Sequence, residues 1–505
     1  MSAEDGRPGP QLDFLLQEPL DRGRGAEPLQ RQLARRLREA VLDGRLPSGC
    51  RLPGSRALAA ALGISRNSVT AVYDLLGAEG YVDPSRQGTR VAALARAPRR
   101  GGPTAAAHPA PEPARRAGRI PARPRDAGVR HALSPGVPAL PRFPHDAWRR
   151  CVDLAHRRAD TATLDYGPPC GEPALRTAIV RHLALARGVH CAPEQVVITE
   201  GAQEALRLCV GLVTDPGDTA WIEDPGYRGA QTAMAYGDLD VVPMRVDDGG
   251  LRVPESAWRT HPPRLIYTTP SHQYPTGAVM TAGRRLELIE KARAHGAWIV
   301  EDDYDSEFRH TGAPIGAMQS LVPDAPVLYV GTFSKTLFPA LRIGFLVLPE
   351  PLVAPARPLL DQVLRGGHRH EQLALAEFIE SGRFGRHIGR MRRLYRARKD
   401  ALTAALAAQL TVPHTITGAE SGMHLVVHLP RKYPDHLVAA AAHERGIAPL
   451  PLSRSCLAPD PEPNGLVLGY GNTPASAYPA LCRTLDEVIE ATATTTATTT
   501  ATPTP

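Results

Sequence analysis

From residue 131 onward, short apolar runs typical of strands alternate with segments of helical spacing, and this alternation limits the fold more than any other feature. The apolar runs are VVITEG, TAWIED, RLIYTTP, AWIVEDDY, VLYVGTF and RIGFLVLP. Helical patterns at 171–187, 202–213 and 281–295 lie between them. Strands interleaved with helices predict an α/β fold with a mostly parallel sheet covered on both faces. Ligands bind such sheets at the carboxyl ends of strands, so the functional site is expected there.

Positive charge is concentrated at the front of this 505-residue chain. Residues 1–130 hold 22 Arg, no Lys and 13 acidic residues, whereas the remainder holds 37 basic and 39 acidic residues. This asymmetry predicts an anionic partner, nucleic acid before membrane, with solvated arginines as the alternative. Seven scattered cysteines, the lack of a signal-peptide pattern and the lack of any apolar stretch of about 18 residues predict a soluble cytoplasmic protein.

Composition divides the chain into five segments. Residues 1–26 form a weakly ordered arm, 27–95 a first domain, 131–490 a large domain, and 491–505 a low-complexity Thr/Ala tail that we expect to be disordered. Residues 96–130 contain nine Ala, nine Arg and seven Pro, so they cannot bury a core and are predicted to be a linker.

The first domain has the pattern of a helix-turn-helix. EPLQRQLARRLREAVLDG carries an apolar stripe at helical spacing, and Ser55 and Ser65 can cap two further helices with Gly63 in the tight turn between them. YVD and TRVAAL, joined by the turn-rich PSRQG, predict a two-stranded wing. The polar start of the third helix is typical of a helix that reads a DNA groove, and a three-helix packing module is the alternative.

Lys335, in VGTFSKTLFP, is one of only four lysines among 59 basic residues. A surface cation in so arginine-rich a chain is expected to be arginine. Only lysine carries a primary amine that can lose its proton and attack a carbonyl, because a guanidinium stays charged. The position at a strand end therefore indicates a reactive amine.

Three other strand ends add candidate ligand groups. The turn into a helix at ITEGAQEAL offers backbone N–H groups of Gly201, Ala202 and Gln203 to a phosphate. The acidic end of WIVEDDYD is open to three interpretations: a magnesium site, a solvated rim, or a carboxylate facing a cationic ring nitrogen. Tyr227 in EDPGY offers an aromatic face. Together with Lys335 these groups fit pyridoxal 5′-phosphate, whose aldehyde forms a Schiff base with lysine, better than a nucleotide.

The motifs resemble two known families in order along the chain. Residues 28–92, with LPGSRALAAALGISRNSVTAVYDLLGAEG, resemble the GntR-type winged helix, and 131–490 resemble the fold-type I, class I aminotransferases. The combination resembles the MocR/GabR subfamily of GntR-type regulators. The resemblance implies a PLP-dependent-transferase-like large domain with a smaller α+β C-terminal subdomain, a homodimer, and operator DNA as partner.

The resemblance also implies residue roles. Lys335 would form the Schiff base, Asp302 would pair with the pyridine nitrogen, and Tyr304 would donate to the 3-hydroxyl. Tyr227 would stack on the ring, and Tyr166 would reach the phosphate of the neighbouring subunit. The other phosphate-binding residues would be Gly201, Ala202, Gln203, Thr332 and Arg342. The DNA-binding residues would be Arg56, Ser65, Arg66, Asn67, Thr70, Gly88 and Arg90. No metal is implied.

Two departures from the aminotransferase pattern bear on function. The asparagine usual before PTG is replaced in SHQYPTG by His272, Gln273 and Tyr274, a form shared with the regulators. The C-terminal strand GLVLGYG lacks the arginine that clamps a substrate carboxylate, which leaves Arg454 and Arg228 as candidates for an effector carboxylate. We therefore expect a regulator that senses an amine, an amino acid or the cofactor itself. The alternatives are an active aminotransferase with an accessory DNA-binding module, and a degenerate dimerisation domain without cofactor.

Overall fold

The computed structural model describes residues 19–85, 88–93, 112–120, 131–312, 315–457 and 463–500, with side chains in the last helix up to residue 493. The chain divides into two compact units, Met1–Glu112 and Pro113–Pro505. Most of the predicted arm and linker, residues 1–18, 94–111 and 121–130, lies outside the described residues. Within the described part of the chain, the helices are too short or too polar to cross a membrane.

The first unit is a three-helix module followed by a two-stranded antiparallel sheet. Its elements are α1 (Leu29–Leu42), α2 (Ser55–Leu62), α3 (Arg66–Ala78), β1 (Val82–Ser85) and β2 (Gly88–Val91). The predicted inward-facing residues of α3 are all buried: Val69, Val72, Tyr73 and Leu76. They pack against the apolar stripe of α1, which includes Leu33 and Leu37, so the amphipathic pattern of each helix determines this core.

The turn between α2 and α3 follows its sequence signals with one exception. Gly63 adopts φ 64°, a left-handed conformation that glycine accepts without strain. Ser65 caps α3 as predicted, since its Oγ accepts a hydrogen bond from the Ser68 N–H at 3.1 Å. The prediction that Ser55 caps α2 is wrong: Gly54 occupies the N-cap position, and no side chain caps this helix. Ser55 already has helical backbone angles, and its hydroxyl instead accepts from Arg66 Nε at 3.4 Å.

The second unit is built on a large mixed sheet. Its strands are β3 (Val196–Thr199), β4 (Thr219–Asp224), β5 (Asp240–Asp247), β6 (Gly250–Leu251), β7 (Leu265–Thr268), β8 (Trp298–Asp303), β9 (Val327–Thr332) and β10 (Gly344–Val347). Their order is β3-β10-β9-β8-β7-β4-β5-β6. The run from β9 to β5 is parallel, and β10 is antiparallel to both of its neighbours. All six predicted strands are present, which confirms the mostly parallel α/β sheet.

Helices cover this sheet and continue into a smaller C-terminal region. They are α4 (Arg115–Gly118), α5 (His145–Arg158), α6 (Pro173–Arg187), α7 (Ala202–Val213), α8 (Arg228–Tyr236), α9 (Ala257–Thr260), α10 (Ala282–His295), α11 (Glu350–Val363), α12 (Arg369–Glu380), α13 (Arg383–Gln409), α14 (Asp435–Glu444) and α15 (Tyr478–Thr500). A second sheet, antiparallel and in the order β11-β12-β14-β13, comprises β11 (Thr415–Thr417), β12 (His424–His428), β13 (Leu450–Pro451) and β14 (Gly465–Gly469). This α+β region packs on the long helix α13 through one continuous apolar cluster.

The last helix enters the Thr/Ala segment 491–505. Helix α15 continues to Thr500, and residues 501–505 of this segment lie outside the described residues. Thr492 is buried, and its Oγ1 donates to the Val488 carbonyl at 2.8 Å. Thr492 thus satisfies its hydroxyl within the preceding turn of the helix.

Candidate functional site

Lys335 lies where β9 ends, buried among groups that set the state of its amine. Its Nζ donates a hydrogen bond of 2.8 Å to the carbonyl of Gly136. Burial lowers the pKa of Lys335, and the carboxylates of Asp305 and Asp302 offset part of this effect. A lowered pKa increases the fraction of neutral amine, which is the nucleophilic form.

The acidic run at the end of β8 is separated by the alternation of the strand. Asp302 points to one face, where Tyr267 Oη donates to its Oδ2 at 2.7 Å. Glu301 accepts from the backbone N–H of Met318 at 2.9 Å, and Asp303 pairs with Arg187 Nε at 2.7 Å on the other side. The three carboxylates therefore do not converge on one ion. Of the three interpretations of this run, a single carboxylate facing the site fits the geometry.

Asp302 is buried, and only one of its two carboxylate oxygens has a hydrogen-bond partner among the described residues. Its Oδ1 has no hydrogen-bond partner within the described residues. Burial raises the pKa of Asp302 to about 7, although the bond from Tyr267 opposes the shift. A buried carboxylate oxygen without a partner is costly, and a cationic donor placed against it would remove that cost.

Tyr304 belongs to a buried polar chain beside this carboxylate. Its Oη lies 3.0 Å from His272 Nδ1, which also lies 2.9 Å from Asp305 Oδ1. The ring of His424 lies 4.9 Å from that of His272, and its Nε2 is 3.1 Å from the Pro275 carbonyl. Burial lowers the pKa of His424 to about 4. The site is thus walled by a neutral His424 and an Asp305–His272–Tyr304 chain.

Tyr227 stands at the N-terminus of α8, next to the carboxyl end of β4. Its ring meets that of Tyr274 edge-on with centroids 6.0 Å apart. Gly229 makes this placement feasible, since a Cβ there would lie 2.3 Å from ring atoms of Tyr227. The aromatic face predicted from EDPGY is present at a strand end.

The turn into α7 has the form of an anion cradle. Gly201 adopts φ 86°, and a Cβ on it would lie 3.3 Å from the guanidinium of Arg342. Arg342 is itself held by a bond to the Glu200 carbonyl. Free N–H groups of a 12-residue helix and a guanidinium thus meet at one point.

Two of the predicted phosphate-binding side chains are engaged within the fold. Gln203 Nε2 donates to the Gly229 carbonyl at 3.0 Å, so its side chain fixes the start of α8. Thr332 Oγ1 lies 3.1 Å from Ser334 Oγ in the turn before Lys335.

The two arginines proposed for an effector carboxylate are neighbours. Burial lowers the pKa of Arg228, and the charge of Arg454 lowers it further. The loops that carry them are joined by a 2.8 Å bond from Gly226 N–H to the Ser455 carbonyl. Tyr166, by contrast, is 81% exposed in this chain.

In the first unit, the predicted DNA-contacting side chains share an exposed region. Arg56, Ser65, Arg66, Asn67 and Thr70 are all exposed at the starts of α2 and α3. In the wing, Gly88 has φ 116°, and Arg90 donates to the Gly49 carbonyl at 2.9 Å.

Sequence reasoning missed several residues of the site. Tyr267 was read only as part of an apolar strand, although its side chain is the donor to Asp302. The Asp305–His272 contact joins residues 33 positions apart, and the Lys335–Gly136 bond spans 199 positions. The unusual SHQYPTG stretch was the one available signal for His272.

Comparison with known proteins agrees with both units. The family model "Bacterial regulatory proteins, gntR family" matches residues 29–91, and "Aminotransferase class I and II" matches residues 140–459. The probable rhizopine catabolism regulatory protein MocR of Rhizobium meliloti is 40% identical over 88% of this chain and 90% of its own length. The pyridoxine biosynthesis transcriptional regulator PdxR of Corynebacterium glutamicum is 32% identical over 87% of this chain and 91% of its own.

Solved structures resemble the second unit. The α-aminoadipate aminotransferase LysN of Thermus thermophilus, complexed with N-(5′-phosphopyridoxyl)-L-leucine, has a TM-score of 0.68 and 26% identity over 76% of this chain and 98% of its own. A multiple substrate aminotransferase of Thermococcus profundus has a TM-score of 0.67 and 27% identity over 73% of this chain and 93% of its own. From its domain order and its similarity to MocR, the chain belongs to the MocR-type transcriptional regulators, which join a gntR-family DNA-binding domain to an aminotransferase class I and II domain.

Proposed function

We propose that this regulator binds pyridoxal 5′-phosphate in its second unit and changes the DNA binding of its first unit when an amine, an amino acid or the cofactor itself occupies that site. The observation that carries the proposal is the buried Lys335 amine beside the half-satisfied Asp302, in a chain that also contains a winged helix. It would act in the cytoplasm on double-stranded operator DNA.

The residues of the site fit this cofactor. The orphaned Asp302 Oδ1 suits a protonated ring nitrogen, and the cradle at Gly201 and Arg342 suits a phosphate. When bound, the cofactor supplies an aldehyde that reacts with amines and a ring that withdraws electrons. Tyr227 provides a flat face for the ring, and the Tyr304 hydroxyl is oriented by His272.

The chain's own groups would control the proton on the Lys335 amine. Burial favours the neutral form of the amine, whereas Asp302 and Asp305 favour the charged form. The Gly136 carbonyl accepts one N–H and so orients the nitrogen lone pair. We infer that these groups hold the amine ready for exchange with an incoming amine rather than fixing it in one charge state.

Arg228 and Arg454 define the effector that fits best. Two neighbouring guanidinium groups repel each other, and an anion placed between them would relieve this repulsion. We therefore propose an effector with an amine at one end for the Lys335 side and a carboxylate at the other. Tyr166, exposed in one chain, would contact the phosphate in a partner copy of a homodimer.

The effector can regulate only through unequal affinity for two arrangements of the protein. A tenfold preference for one arrangement shifts the equilibrium by about 1.4 kcal/mol. No contact between the effector and DNA is needed, because each ligand biases the same equilibrium.

The test uses Lys335→Ala and Arg66→Ala in the full chain, with the exposed Lys432→Ala as a matched control. Lys335→Ala should lose the near-visible absorbance of the bound cofactor and the response to effector, but it should retain operator affinity measured by anisotropy. Arg66→Ala should show the opposite result, because it should bind the operator weakly but keep the absorbance of the bound cofactor. A full effector response in Lys335→Ala would remove the amine from sensing, and steady-state transamination of an amino donor would favour the aminotransferase alternative.

A further inference from the structure

Helix α13 begins with an unusual run of positive charge. Residues 383–399 contain seven arginines and one lysine but no acidic residue. Four of the arginines recur every three or four residues and so lie on one face of the helix. With one arginine of α5 they line a groove of about 480 Å³. We call this set the arginine surface: Arg150, Arg383, Arg386, Arg390 and Arg393.

Most of this charge is not balanced inside the fold. Arg383 lies 3.6 Å from Glu377, and Arg386 donates to the Ser381 carbonyl at 3.3 Å. Arg150, Arg390 and Arg393 have no carboxylate or hydrogen-bond partner among the described residues. Two other arginines of the helix have partners inside the fold.

Arg392 pairs with Glu307 at 3.1 Å, and Arg398 donates to the Gly471 carbonyl. Internal contacts therefore explain those two arginines but leave the arginine surface unexplained.

Several residues around this surface lower the stability of helix α13. Arginines in the first turns oppose the helix dipole, and like charges three or four residues apart repel. Gly385 and Gly389 lower helix propensity further. A Cβ on Gly385 would meet no atom within 4 Å, and one on Gly389 would meet only Arg393 at 4.0 Å. Packing does not require these glycines, whereas a partner that approaches the backbone closely would.

We propose that the arginine surface binds the phosphate backbone of duplex DNA, as a second, sequence-independent contact in addition to that of the winged helix. This rests on the proposed function, since operator binding by the first unit brings DNA to the protein. Guanidinium groups match phosphate geometry. The ten residue steps from Arg383 to Arg393 span about 15 Å, a length over which duplex DNA carries about nine phosphates. Several arginines can therefore each meet a different phosphate.

The lining favours DNA over an acidic protein. Protein interfaces depend on buried aromatic or aliphatic anchors. Here the one large apolar side chain in the lining, Phe378, is 0% exposed and already packed in the core. The groove thus presents charge without an apolar anchor, which is the pattern of nucleic-acid surfaces.

The experiment compares the full chain with the triple variant Arg386→Gln/Arg390→Gln/Arg393→Gln on a random-sequence 60-bp duplex. A second triple variant, Arg252→Gln/Arg259→Gln/Arg431→Gln, removes the same charge from exposed sites elsewhere. Affinity is measured by anisotropy between 50 and 200 mM salt, and cofactor absorbance reports that each variant is folded. Each lost phosphate contact should lower the salt slope by about 0.9, so the first variant should lose about 2.7.

Between 50 and 200 mM salt the wild type should lose about 40-fold more affinity than this variant. The proposal is overturned if the first triple variant keeps the salt slope of the wild type, or if the second triple variant loses as much slope as the first. An unchanged slope is also the result expected if the surface binds an acidic protein instead of DNA. Operator selection by the wild type is measured separately. Its absence would refute the proposed function, whereas an unchanged slope with intact operator selection refutes only this inference.

Discussion

Replacing Asp302 by Asn should stabilise the cofactor-free protein at pH 8 while weakening cofactor binding. Asp302 is fully buried, and Tyr267 satisfies only one of its oxygens. Asparagine keeps an acceptor for Tyr267 and removes the charge that burial disfavours. A protonated ring nitrogen of the cofactor requires this same charge. Asp302→Asn should therefore raise the stability of the cofactor-free protein and lower its affinity for the cofactor.

The magnitude follows from the pKa. In the folded chain the pKa of Asp302 is about 7, against 3.8 for the free side chain. The folded state therefore binds this proton more tightly than the unfolded state, and stability falls as pH rises from about 4 to 7. A shift of about three units corresponds to about 4 kcal/mol at pH 8, which Asp302→Asn should recover. Below pH 4 wild type and variant should be equally stable.

Urea unfolding of the cofactor-free proteins, followed by tryptophan fluorescence at pH 5 and pH 8, measures this difference. Trp221, Trp258 and Trp298 lie in the same unit as Asp302 and report on its unfolding. The free-energy gap should be largest at pH 8 and should shrink at pH 5. Asp240→Asn, at an exposed position, controls for the loss of one carboxylate. A variant no more stable than wild type at pH 8, or a gap independent of pH, would refute the reasoning.

Three further substitutions test other contacts. Arg187→Met leaves buried Asp303 without its cation and should cost about 3–5 kcal/mol in urea unfolding of the second unit. Ser65→Ala removes the cap of α3 and should cost about 1 kcal/mol, seen as an earlier loss of helix in circular dichroism. Gly229→Ala places a methyl group on the Tyr227 ring and should weaken cofactor affinity about tenfold, or about 1.4 kcal/mol, in an absorbance titration.

Local pattern was sufficient to predict the elements and insufficient to predict their partners. The β-strand runs and the stripe of α1 appear where their apolar spacing indicates, because burial of one face determines each element. Ser55 shows the limit at a helix end, since a shift of one residue decides whether a hydroxyl caps or lies inside the helix. Strand alternation in the acidic run predicts that Glu301 and Asp303 point to the face opposite Asp302, as the structure has them.

Contacts across the fold were beyond reach of the sequence. Arg228 and Arg454 lie 226 positions apart in the sequence, and the chain fold brings their charges close enough to interact. The same holds for Tyr267 beside Asp302, whose proximity depends on the parallel pairing of β7 with β8. Residue types at strand ends identify a site, but the proton state of that site depends on neighbours supplied by other strands.

The contact between Lys335 and Gly136 joins the site to the segment that follows the predicted linker. Residues 131–139 follow the predicted linker directly. The Leu133 N–H donates to Thr473 Oγ1, and the Leu133 carbonyl accepts from the Gly469 N–H, each at 2.8 Å. A Cβ on Gly469 would lie 2.1 Å from the Ser134 carbonyl, so the close packing of this segment requires glycine there. Lys335 therefore hydrogen-bonds to a segment that is itself held by the C-terminal region, and the sequence gives no sign of this contact because the two residues lie 199 positions apart.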